Sequence, residues 1–254
     1  MAMLAAASIL PTAPTPPAAL MSDYTWLIFG APGVGKTTLA NQFFHPIILA
    51  TEPGTAAMHA ATVEIDSWRK FKQVIAALRT EDHQYRTFVV DTVDNLRALC
   101  ETYVCGLHGV NDPGEKDDHG LVWRALKREW LSGIHDFRLV PGCSVFVSHE
   151  RTEPIRQRRG KKMIDTGKYR VTSGLSASGR DVLHGAVDFI LHSEIIDGKR
   201  WLRTQPVDET TTGNTIIECK GRGGLKESER LPDLVPHSFA ELHKAFVAAF
   251  GKDE

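Results

Sequence analysis

The chain has 254 residues, 42% of them hydrophobic and 24% charged, with 30 Lys+Arg against 31 Asp+Glu. That length suits one large domain or two small ones with an ample core, and it excludes a chain disordered throughout, a collagen-like chain and a coiled-coil rod. No apolar run reaches the ~18 residues needed to cross a bilayer, and a formal charge of -1 excludes a uniformly basic nucleic-acid coat while leaving room for a local basic patch.

Residues 1–22 are Ala/Pro-rich, without the basic start that a secretory signal needs, and their prolines oppose a helix; a disordered leader is expected. Met21, directly before the first strand, offers an alternative translation start. Four cysteines (Cys100, Cys105, Cys143, Cys219) do not make a disulfide scaffold, and with His108 they lack a second ligand pair at zinc-site spacing. A reducing, cytoplasmic setting is the simpler reading.

From Tyr24 onward short apolar runs alternate with amphipathic stretches, the pattern of an α/β domain. Strands are expected at Tyr24–Phe29, Pro46–Ala50, Thr62–Ile65, Thr87–Asp91 and Cys143–Ser148. Helices are expected from about Lys36 to Phe44, after a Ser67 N-cap, over Val93–Leu107 and Leu121–Phe137, and over Ser238–Phe250. Asp197-Gly198-Lys199 between two apolar runs predicts a C-terminal β-hairpin. Residues 151–170 hold eight Lys/Arg against two Asp/Glu and few large apolar residues, the composition of a mobile loop or ribbon. No linker interrupts residues 23–250, so a single domain is expected.

The segment Gly30-Ala31-Pro32-Gly33-Val34-Gly35-Lys36-Thr37 fits G-x-x-x-x-G-K-[ST] between a predicted strand and a predicted helix. Glycines let such a loop turn its amides inward around phosphate oxygens, and the following helix, with Thr38 in its first turn, adds a positive end. Lys36 is the residue to reach the β- and γ-phosphates of ATP, and Thr37 offers a hydroxyl to Mg2+. Asp91, ending the apolar run Phe88-Val89-Val90, falls on the same sheet edge and is the second Mg2+ residue. Hydrolysis also needs a carboxylate to orient water: Glu52, one strand over, is the first candidate and Asp94 the second. His149, ending the Cys143–Ser148 strand, can sense the γ-phosphate.

These residues together resemble the RecA-like P-loop ATPases, and more narrowly the phage-encoded, single-domain members of the single-strand annealing and recombination group. The resemblance rests on residues 30–40, 48–54 (ILATEPG), 89–96 (VVDTVDNL), 145–150 (VFVSHE) and 219–232 (CKGRGGLKESERLP). It implies a RecA-like P-loop NTPase core with a mostly parallel sheet flanked by helices. It further implies ATP at the interfaces of a homo-oligomer, with a neighbour's Lys220 and Arg222 presented to the γ-phosphate. The basic stretch then lies where the family carries a DNA-contacting loop, so Arg156, Arg158, Arg159, Lys161 and Lys162 are expected to bind single-stranded DNA, with Tyr169 the one nearby aromatic for stacking. A single-strand binding protein is an implied partner and the cytosol of a bacterial host the implied location. Two other readings stay open: a P-loop kinase or other small-molecule phosphotransferase, and a non-hydrolysing, nucleotide-gated loader of another replication factor.

Overall fold

The structure is a computed structural model that describes residues 13–14, 18–55, 58–160, 162–208, 213–222 and 229–251. Most of the expected leader, Lys161 and residues 223–228 lie outside the described residues.

The apolar runs form the strands of one sheet. β1 (Thr25–Gly30), β2 (Pro46–Ala50), β3 (Thr62–Glu64), β4 (Thr87–Asp91), β5 (Cys143–Arg159) and β7 (Phe189–Ile196) pair in parallel in the order β7-β1-β5-β4-β2-β3. β8 (Lys199–Arg203) and β10 (Leu234–Pro236) extend the β7 edge antiparallel. Every residue of β1, every residue of β4 and the first six of β5 are buried, which is why they read as unbroken apolar runs: a parallel sheet covered on both faces has no polar side to alternate with.

The strand period of two sends neighbouring side chains to opposite faces. Leu27, Phe29, Leu49, Phe88, Val90 and Phe146 pack against α2 (Trp68–Thr80), α3 (Val93–His108), α4 (Leu121–Arg138) and α5 (Ala177–Ala186). Trp26, Ile28, Val89, Val145, Phe189 and Leu191 face α1 (Lys36–Ala40) and α6 (Phe239–Phe250). Trp26 stacks on Phe189 with ring centroids 4.2 Å apart. The molecule is thus a three-layer α/β/α sandwich with a mostly parallel central sheet, the expected P-loop NTPase core. No helix among the described residues is long and apolar enough to cross a membrane.

One expectation needs correction, and one left between two forms is decided. The first helix ends at Ala40 rather than near Phe44, because the chain must reverse at once to enter β2; His45 turns with φ +42, and Pro46 opens the strand. Residues 151–170, expected as a mobile loop or ribbon, take the ribbon form rather than the loop. β5 runs on beyond the core to Arg159 and pairs antiparallel with β6 (Lys162–Ser173), whose root pairs with β9 (Thr215–Ile217). Backbone pairing rather than a buried face makes this ribbon, so it leaves no apolar alternation to read.

Helices α2 and α4 meet through Trp68. Its indole Nε1 donates to Glu129 Oε1 at 2.7 Å, and the ring lies so close to Gly133 that a Cβ there would overlap it. Gly133→Ala is expected to lower stability by about 1–3 kcal/mol through overpacking, despite alanine's better helix propensity. Urea denaturation checks this; an unchanged or raised midpoint would refute it.

Candidate active site

The phosphate loop leaves β1 at Gly30, where the backbone carbonyl of Ser193 on β7 runs so close that any Cβ would overlap it. Gly33 and Gly35 adopt φ +78 and +99, a region closed to most side chains, and Gly35 caps α1. Val34 is buried and anchors the loop, while Pro32 and Gly33 face solvent. Lys36, 6% exposed, turns its ammonium back onto its own loop, donating to the carbonyls of Gly30 (2.8 Å) and Ala31 (2.9 Å). Burial pulls its pKa down, and Asp91, Glu150, Asp94 and Glu52 oppose that pull.

Asp91 is 4% exposed at the end of β4, next to the Thr37 hydroxyl. Its burial raises its pKa, with Glu52 adding to the rise and the Thr37 hydroxyl, Lys36 and His149 working against it. A hydroxyl and a buried carboxylate side by side are hard oxygen donors, and they fit Mg2+. Thr51 binds across the two strand ends, its Oγ1 donating to Thr92 O (2.9 Å) and accepting from Thr92 N (2.8 Å). That clamp sets Glu52 beside Asp91. The Glu52 carboxylate accepts from Asn95 Nδ2 at 3.0 Å and lies 3.5 Å from His149 Nε2.

The second candidate carboxylate has other work. Asp94 accepts from Ser148 Oγ (2.7 Å) and from the His149 amide (2.7 Å), tying the end of the β5 core strand to the first turn of α3. Burial raises its pKa as well. Asp94 therefore positions His149, whereas Glu52 faces the open space.

Pro32, Gly33, Gly35, Lys36, Thr37, Thr38, Glu52, Asp91 and His149 line one cavity of about 390 Å3 at the carboxyl edge of the sheet. Gly30, Ala31 and Val34 complete the loop behind it. The same cavity is lined by Arg200, which sequence reasoning missed, and Asn95 was missed as the partner of Glu52. Only the hairpin register combined with the β1–β7 pairing could have pointed to Arg200. Lys220 and Arg222 are not brought there. Lys220 pairs with Ile190, and its Nζ donates to the carbonyls of His184 (3.0 Å) and Val187 (2.5 Å). Arg222 pairs with Asp188, just ahead of β7 and toward the opposite edge of the sheet.

The ribbon divides its cations. Register places Arg156 and Arg158 opposite Asp165 and Met163 on one face, and Arg159 and Lys162 beside Gln157 and Ile164 on the other. Among the described residues these four form no ion pair. Lower down the charges are paired: Arg180 meets Glu153 at 2.7 Å, and Arg170 reaches both Glu153 and Glu218. Lys161 lies outside the described residues.

A profile of an AAA domain family matches residues 22–216, three quarters of the chain. The chain belongs to this AAA domain family. AAA domains are nucleotide-binding ATPase modules, and the loop, Lys36, Thr37 and Asp91 supply what such a module needs. The chain is also similar to the SPbeta prophage-derived uncharacterized protein YorG of Bacillus subtilis (strain 168), with 27% identity over 127 residues. The match covers 48% of this chain and 39% of that protein, so the AAA chain spans well under two thirds of its relative.

At the ribbon root of this AAA domain, Ser173 Oγ lies 3.0 Å from His184 Nε2, and Glu218 lies 3.9 Å from the other ring nitrogen. Burial pushes the His184 pKa down to about 4, against an opposing pull from Glu218. A histidine kept neutral in the fold but free to charge when unfolded removes stability as pH falls from about 6.5 toward 4. Asp91 and Asp94, with raised values, act in the opposite sense. The wild type should therefore lose about 2 kcal/mol more than His184→Gln between pH 7.5 and pH 5. Parallel denaturation curves for the two proteins at both pH values would show the difference, and equal losses would exclude His184 as the source.

Proposed function

We propose that this AAA domain hydrolyses ATP in response to single-stranded DNA, as a phage-type protein of recombination, annealing or replication. The observation that carries the reading is the continuity of β5. One unbroken strand holds His149 at the cavity and Arg156, Arg158 and Arg159 in the ribbon. A phosphodiester backbone drawn to the ribbon pulls on the same strand that carries His149. The prophage origin named for the YorG relative supports the phage setting.

In this reading Lys36 leaves the carbonyls of Gly30 and Ala31 for the β- and γ-phosphates, which are stronger partners for a buried ammonium. Thr37 and Asp91 would hold Mg2+, which when bound would supply positive charge to offset that of the transferring phosphoryl group. Glu52, released from His149 and Asn95, takes a proton from the attacking water. His149 reports the state of the γ-phosphate to β5. Assembly into a homo-oligomer places Arg222 of one copy at the nucleotide of the next, where a cation offsets the departing charge. A single-strand binding protein is the natural partner for a protein that must gain access to covered DNA.

Phosphate release should rise when single-stranded DNA is added, and Glu52→Gln should lower turnover about 100-fold or more while ATP still binds. Turnover indifferent to DNA, or seen only with a small-molecule acceptor, would replace this reading with a phosphotransferase. Tight ATP binding with no turnover under either condition would favour the nucleotide-gated loader.

The split ribbon gives a second expectation. Removing Arg156 and Arg158, or Arg159 and Lys162, should each weaken DNA binding and flatten its salt dependence by roughly 0.7 in log–log slope per lost phosphate contact. If both faces bind, the two double variants behave alike; if one face binds, a single pair carries the effect. Unchanged affinity and slope in both would remove the ribbon from the DNA site.

A further inference from the structure

We propose that Arg200, in the second strand of the β7–β8 hairpin, is a ligand for the nucleotide phosphates, contributed by the same chain that supplies the phosphate loop. This rests on the nucleotide reading above and adds a residue that neither the loop motif nor the Lys220/Arg222 pair accounts for.

The fold delivers Arg200 to the loop through a chain of pairings. β7 runs parallel to β1 with Ser193 beside Gly30, so β7 continues past the point where the phosphate loop begins. It reverses at Asp197 and Gly198, both with positive φ, and β8 returns with Arg200 opposite Ile195. The other side of β8 is held by β10, and the His237 amide donates to the Arg200 carbonyl at 3.2 Å. The Arg200 backbone is therefore fixed from both sides. Its side chain reaches across to the loop, where Nη1 lies 3.6 Å from the position a Cβ on Gly35 would occupy. Gly35, with φ +99, lines the same cavity as Arg200.

Charge points the same way. Arg200 is exposed and forms no ion pair among the described residues. The arginines that are buried or half-buried, Arg97, Arg170, Arg180 and Arg203, each meet a glutamate. Within the cavity the acids Glu52 and Asp91 would outnumber Lys36 if Arg200 were absent, and a triphosphate would enter a site already negative. With Arg200 the side-chain charges balance. The guanidinium also offers paired N–H donors to two phosphate oxygens, which an ammonium cannot.

Titration with a fluorescent ATP analogue at fixed salt tests the assignment. Arg200→Ala should weaken binding about 10- to 100-fold. Arg200→Lys, which keeps the charge and loses the fork, should recover part of the loss. Lys199→Ala removes the neighbouring exposed cation, whose side chain leaves the opposite face of the strand, and should leave affinity unchanged. Binding that Lys36→Ala loses but Arg200→Ala retains would overturn this inference alone, as would an equal loss in Lys199→Ala. No binding by the wild-type chain would overturn the nucleotide reading and this inference with it.

Discussion

A buried cation governs the carboxyl edge of the sheet. Lys36 is almost fully enclosed, and an enclosed ammonium must find oxygen partners or give up its proton. In this fold it finds the carbonyls of its own loop, with Asp91 and Glu52 close enough to oppose its deprotonation. Loop shape follows from that need. Gly30 lets β7 pass against the strand end, its carbonyl and that of Ala31 meet Lys36, and Gly33 and Gly35 turn the backbone with positive φ. A phosphate offers Lys36 a full negative charge in place of two carbonyl dipoles. The loop is built around a cation whose best partner comes from outside the chain.

Communication from that cation to the ribbon passes through few contacts. Glu52 is held between Asn95 of α3 and His149 of β5, and Asp94 holds the His149 amide and the Ser148 hydroxyl. Asn95 and Asp94 are adjacent in the first turn of one helix, so that turn grips both the carboxylate and the strand. Any shift of His149 on its strand alters the partner set of Glu52. Beyond His149 the same backbone becomes the ribbon, rooted by the pairs of Glu153 with Arg180 and Arg170. Compensated charges fix the base of the ribbon, and among the described residues Arg156, Arg158, Arg159 and Lys162 form no ion pair.

The legible parts of the sequence were those whose cause is local. Fully apolar runs at Trp26–Phe29, Phe88–Val90 and Val145–Val147 could only be strands buried on both faces, and the loop motif fixed its own geometry. Ser67 and Ser238 mark their helix starts by accepting the amides of Lys70 and Glu241. What escaped reading depends on pairing between distant segments. β6 is held by β5 and β9 rather than by apolar periodicity, and β10 is three residues added to an edge. Arg200 enters the cavity only because β7 lies beside β1 and β8 folds back along it. Asp94 reads from the sequence as a second candidate to orient water, and only the β5 strand end shows what its two oxygens hold.

The two cations expected to act on a neighbouring copy are in different energetic positions. Lys220 donates to two backbone carbonyls between α5 and β7, and burial lowers its pKa. Pulling it away would leave those carbonyls unpaired in a half-buried place, at a cost of about 1–3 kcal/mol for each group stranded. Arg222 is 61% exposed, and its partner Asp188 also accepts the Thr25 amide at 2.9 Å. Asp188 itself is buried, so losing Arg222 leaves its carboxylate only the Thr25 amide as a partner among the described residues. Arg222 would have to give up one ion pair to reach a phosphate on another chain, while Lys220 would give up the two carbonyls that hold the segment from which Arg222 extends. If a neighbour's cation completes the cavity, physical chemistry assigns that exchange to Arg222 and leaves Lys220 as its support.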